Sequence, residues 1–215
     1  MSASADEITT LSNRLLLLWL IDDVAKYYSI GETKAQKLAY WSQLEMTKQQ
    51  EKGLSYHFKK LTYGPFSETL RADLSWMITQ QFLEVEPLDA GDVFWPSYFG
   101  KKIISDFHEM FMRNRSFTNR ISGVNNEYAR YASYKLVDIV HSQKHPNGKI
   151  TIHDTPPQAE ILPPLSFEAA KLRFDITESE LETLEIYLDP DFYEDAVAGL
   201  HSAQQEPLLR LDEVF

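Results

Sequence analysis

The chain has no cysteine among its 215 residues. That excludes disulfides and thiolate metal sites and makes a reducing cytoplasm its natural home. Long hydrophobic runs are lacking too. The longest, Leu15-Leu16-Leu17-Leu18-Trp19-Leu20-Ile21, is seven residues long, where a membrane span needs about twenty. Asp22-Asp23 close it and only Arg14 precedes it, after Asp6 and Glu7. It therefore predicts a buried first helix from about Leu11 to Tyr28, and no membrane association. The signatures of catalysis are missing as well: there is no Gly-rich phosphate loop, GxGxxG, HExxH or GxSxG. Adjacent Asp22 and Asp23 point about 100° apart on a helix and cannot face each other as a pair. No nucleophile has a recognisable base. The residues read as a non-enzyme without a cofactor.

What is present is ample apolar material, 43% of the chain with 13% aromatic, enough for a packed core. The charge is unevenly placed. Asp154 to Phe215 holds fifteen acidic and three basic residues, a net of −12, while residues 1–153 hold 17 acidic and 18 basic. An acidic C-terminal part is unsuited to phosphate backbones; it suits a basic protein partner or a solvated face. Four prolines in DTPPQAEILPP, Asp154 to Pro164, mark a linker. The expected organisation is a helical domain over 1–153, a linker over 154–165 and an acidic helical tail over 166–215.

Within the first part, Lys59 to Met77 (KKLTYGPFSETLRADLSWM) carries the most information. Lys59 to Tyr63 suits a strand, and Gly64-Pro65 breaks regular structure. Ser67 caps a helix with Glu68 at its positive end, and Leu70, Leu74, Met77 and Ile78 form one face. Upstream, Thr33 and Gln36 stand at capping-box spacing before an apolar stripe of Leu38, Ala39, Trp41 and Leu44. Downstream, Phe82–Glu86 and Val93–Pro96 flank a turn-rich loop and predict a hairpin. Helices follow over Ile103–Met112 and Asn119–Gln143, the latter with Tyr128, Tyr131, Ala132, Leu136, Ile139 and Val140 inward. The fold class is mainly α: a helical domain with a small, winged-helix-like β-hairpin, then the linker and helical tail. In the tail, Ser166 caps a short helix through Leu172, and Thr177 with Glu180 opens another.

KAQKLAYWSQ (Lys34 to Gln43) and LTYGPFSETL (Leu61 to Leu70) together resemble the Panacea domain. Lys34, Gln36, Lys37, Leu38 and Tyr40 stand at its first motif, and Tyr63, Gly64 and Pro65 at its second. Ala35 and Ala39 replace the leucines more usual there. The resemblance covers roughly residues 8 to 145 and implies an antitoxin that binds and silences a cognate protein toxin. LDPDFYEDAVAGL (Leu188 to Leu200) and LLRLDEV (Leu208 to Val214) resemble the toxin-binding tail of Phd/YefM-type antitoxins. Departures are a Gln204-Gln205-Glu206-Pro207 spacer where glycine is usual, and the lack of that family's DNA-binding domain. This second resemblance implies partner contact through Leu188, Phe192, Tyr193, Val197, Leu200, Leu208 and Leu211.

Other readings stay open. Arg113, Arg115 and Arg120 form a local basic patch beside the hairpin, which leaves DNA contact by a winged-helix regulator as one alternative. Glu84, Glu86, Asp89 and Asp92 make that wing acidic, against a phosphate backbone. His141, His145, His153 and Asp154 could hold zinc or nickel, although helix-end histidines facing a C-terminal dipole explain the spacing more simply. Delivery of the toxin to a protease, and self-association of the chain, are equally compatible with the residues.

Overall fold

The computed structural model describes residues 4–88 and 91–188. Its first elements are α1 (Ala5–Ala25), α2 (Glu32–Lys48), β1 (Glu51–Lys52), β2 (Phe58–Leu61), β3 (Gly64–Phe66), α3 (Glu68–Thr79), β4 (Leu83–Glu86) and β5 (Val93–Pro96). Then come α4 (Tyr98–Asp106), α5 (His108–Arg113), α6 (Arg115–Tyr128), α7 (Ser133–Ser142), β6 (Glu160–Leu162), β7 (Leu172–Arg173) and α8 (Glu178–Tyr187). The protein is mainly α, as expected. Two units separate between Ile176 and Thr177.

In the first unit α1 is the central element. It starts at Ala5 rather than near Leu11 because Ser4 and Glu7 close a capping box: the Ser4 N–H donates to the Glu7 carboxylate at 2.7 Å, and the Glu7 N–H to Ser4 Oγ at 3.3 Å. Leu15, Leu16, Leu17, Leu18, Leu20 and Ile21 are all buried. A helix apolar on every side has to be surrounded, and α2, α4, α6 and β5 pack around it. Among the described residues no helix is long and apolar enough to cross a membrane.

The β elements differ most from expectation. Gly64-Pro65 does not break the chain there. Thr62-Tyr63 make the turn, and Gly64 and Pro65 pair with Leu61 and Lys60 in β3. Gly64 carries the left-handed φ of +90° that this turn requires. Pro65 is tolerated because β3 is an edge strand, where a missing N–H costs least. On the other side of β2 lies β6, drawn from the segment read as a linker. Its prolines, Pro156, Pro157, Pro163 and Pro164, bracket a three-residue strand and so limit its length. Nor does Ser166 start a helix: its Oγ accepts from the Ala169 N–H at 3.3 Å in a turn, and β7 then pairs parallel with β1. The first unit thus extends past the expected boundary at residue 153.

The hairpin forms as expected, with Leu83 opposite Pro96 and Glu86 opposite Val93. Ser67 caps α3, and Ser97 caps α4. The helix expected over Ile103–Met112 starts earlier and breaks at Phe107, which is buried. The helix expected over Asn119–Gln143 is two, α6 and α7, with Ala132 extended and exposed between them rather than inward. Leu136 and Val140 face the core. In the second unit Thr177 and Glu180 form the expected capping box and Leu188 ends α8. Phe192, Tyr193, Val197, Leu200, Leu208 and Leu211 lie outside the described residues.

Candidate functional site

The two halves of the Panacea-like motif, about thirty residues apart, meet in space. Gln36 does not complete the capping box expected with Thr33; α2 begins after Gly31 with no side-chain cap. Instead its amide clasps Ser67 at two points. Gln36 Nε2 donates to the Ser67 carbonyl and the Ser67 N–H donates to Gln36 Oε1, both at 2.9 Å. Lys37 donates through Nζ to the Pro65 carbonyl at 2.8 Å. Pro65 and Ser67 are two apart in extended chain, so their carbonyls turn to the same side and meet adjacent residues of α2. Both side chains are buried. The segment leading into α3 is therefore held by α2.

Lys34, one turn before Lys37, donates to the Ala129 carbonyl at 3.0 Å. That carbonyl belongs to the C-cap residue of α6, and the ammonium supplies the donor that a helix end lacks. Lys34 thereby fixes the α6–α7 break that the hydrophobic pattern concealed. Leu38 is in the core, and the Tyr40 ring meets Phe58 edge-on with centroids 5.5 Å apart. Its hydroxyl is buried without a partner among the described residues, and burial raises its pKa. Of the motif residues only Tyr63, at the hairpin tip, is widely exposed, at 65%.

A second clasp was not read from the sequence. Gln43, two turns on from Gln36, repeats its geometry: Nε2 donates to the Tyr56 carbonyl and the Tyr56 N–H donates to Oε1, each at 2.7 Å. The signal was two polar residues one heptad apart within an otherwise apolar face. The Tyr56 hydroxyl in turn donates to Asp73 at 3.1 Å, and Asp73 pairs with Arg14 at 2.9 Å. Burial holds the Asp73 carboxyl above its ordinary value, against the pull of Arg14 and Tyr56. The Arg14 guanidinium lies over the Trp76 ring, 3.7 Å from its centroid.

The electrostatics of the clasp follow from burial. Lys37 is held down to about 7, first by desolvation and then by the charge of Lys60, with Glu32 opposing. Lys34 and Lys60 are lowered by desolvation alone. Lys60 stands 3.4 Å from His141 Nε2, and the rings of His141 and His153 are 5.6 Å apart. His145 faces the Glu160 carbonyl instead. No group of three metal-ligating residues occurs among the described residues. The basic patch is partly neutralised: Arg113 pairs with Asp175 at 2.8 Å and Arg120 with Glu51 at 3.3 Å. In the hairpin, Glu84 accepts from Trp95 Nε1 at 2.7 Å.

Two open grooves flank α2. One of about 640 Å³ lies at its N-terminus between Ser29, Lys34, Phe94 and Tyr134; the other, of about 480 Å³, lies between Trp41, Tyr128, Gln143 and Leu162. In the second, the Trp41 and Tyr128 rings stack with centroids 4.1 Å apart. Comparison with models of protein families, with curated proteins and with solved structures finds no match to this chain.

Proposed function

We propose that the chain is an antitoxin, a non-catalytic protein of the cytoplasm that neutralises a cognate protein toxin by direct binding. The observation that carries the reading is the clasp. Lys34, Gln36 and Lys37 from the first half of the motif grip the chain around Pro65 and Ser67 in the second half and the end of α6. The residues that suggested the Panacea domain thus act as one structural unit, and a chance match of two short segments would not require this. Their chemistry is turned toward backbone carbonyls and core, as suits a scaffold that presents surfaces.

Partner surface is available in two places. The acidic C-terminal stretch supplies the anchors Leu188, Phe192, Tyr193, Val197, Leu200, Leu208 and Leu211. On the body, Tyr27, Tyr28 and Tyr134 are exposed near the groove at the start of α2, and exposed aromatic residues favour protein contact. Protein is a better partner than DNA for this body, because Arg113 and Arg120 are already matched by carboxylates and the hairpin is acidic. Co-expression with the product of the adjacent gene tests the proposal, with growth rescue and co-purification as readouts. Rescue with a stable complex supports it; neither rescue nor complex removes it.

A further inference from the structure

The chain carries a net charge of −11, yet several bases gather at one place. Lys60 on β2, His141 at the end of α7 and exposed His153 just beyond it gather around the β2–β3 turn, with Lys37 of α2 behind them. Among the described residues none of these four bases is ion-paired with a carboxylate. Among the described residues, Lys60 Nζ meets the Leu61 carbonyl at 3.2 Å and His141 Nε2 at 3.4 Å. Protonation of the imidazole is disfavoured here: His141 is held below its ordinary value by desolvation, then by Lys60, His153 and Lys37, with Asp138 opposing. The neighbouring Asp154 is engaged by the Thr151 hydroxyl at 2.6 Å.

Gly64 makes the gathering sterically feasible. A Cβ there would sit 3.3 Å from His141 Cδ2, 3.4 Å from its Nε2 and 2.9 Å from Val140 Cγ1. The bare backbone lets the imidazole edge come up against the turn beside Lys60.

We infer that Lys60, His141 and His153 form a binding site for the phosphoryl group of a small molecule. Donors reach it from a strand, a helix end and the segment beyond that helix, which suits a tetrahedral oxyanion better than a planar carboxylate. A phosphate carries about −1.5 to −2 charges near neutral pH with three strong acceptor oxygens, enough to favour the protonated imidazole through charge-assisted hydrogen bonds. All three residues belong to the first unit.

The test is a histidine NMR titration of the full chain, run with inorganic phosphate, methyl phosphate or acetate. Phosphate should raise the titration midpoint of His141 by about one unit and bind about tenfold more tightly than acetate. Methyl phosphate binding more tightly than inorganic phosphate would identify a phosphomonoester as the natural source, and equal binding would identify free phosphate. Lys60→Met and His153→Gln should each abolish the shift at His141. Lys59→Met, on the opposite face of β2, should keep it. His153 is exposed, so its variant serves if Lys60→Met does not fold. No shift with either phosphate, equal shifts with acetate, or full retention in His153→Gln would overturn the assignment.

Discussion

Replacing Lys37 by methionine should change not only how stable the protein is but how its stability depends on pH. Lys37 is 2% exposed and its pKa falls from 10.5 to about 7. Between those values the unfolded chain binds more protons at this residue than the folded one. Stability therefore rises with pH across the window, by at most about 1.4 kcal/mol per unit and on the order of 5 kcal/mol in all. Below pH 7 both states are protonated, and above 10.5 neither is, so the group contributes no slope there. Methionine has similar reach and no charge, which removes the slope. It also leaves the Pro65 carbonyl without its donor, at about 1–3 kcal/mol. The variant should be the more stable protein near pH 7 and the less stable one near pH 10, with the two curves crossing between. Urea denaturation followed by circular dichroism across that range measures both. A constant difference between variant and parent would refute the assignment of a buried, depressed lysine.

Gly64→Ala should cost about 2–4 kcal/mol, from its positive φ and the 2.9 Å approach to Val140; in a thermal melt that is a fall of roughly 5–15 °C. Gln36→Ala and Gln43→Ala each strand one buried N–H and one carbonyl, so each should lose about 2–4 kcal/mol by chemical denaturation; a loss below 1 kcal/mol would mean that the clasps are not structural. Tyr56→Phe should cost about 1–3 kcal/mol by removing one of the donors to Asp73. Phe192→Ala should weaken toxin binding by about 2–4 kcal/mol in calorimetry, and unchanged affinity would exclude the tail from the interface.

The elements that could be read from sequence were those coded locally. Ser67, Thr177 and Glu180 announce helix starts through short-range hydrogen bonds, and the hairpin from Leu83 to Pro96 follows from alternating residues around a turn; the Ser97 cap that starts α4 went unread. The elements that could not be read depend on distant partners. The end of α6 at Ala129 is set by Lys34, and the break at Asn114 holds Asp175 through both amide groups. Strand β6 looked like a linker because its prolines are punctuation in either case; only pairing with β2 decides which. At the motif, residue identity was visible while its use was not. Gln36 fitted a capping box with Thr33, but a tertiary amide clasp took its place.

The central claim is toxin neutralisation, and co-expression with the adjacent gene's product tests it most directly. A chain ending at Ile176 belongs beside the full one, since a cut near Thr155 would remove β6 and β7 from the body. The account predicts that the full chain rescues growth and co-purifies with the toxin, while the shortened chain loses binding in proportion to the tail's share of the interface. Failure of the full chain to rescue growth or to form a complex would contradict the account.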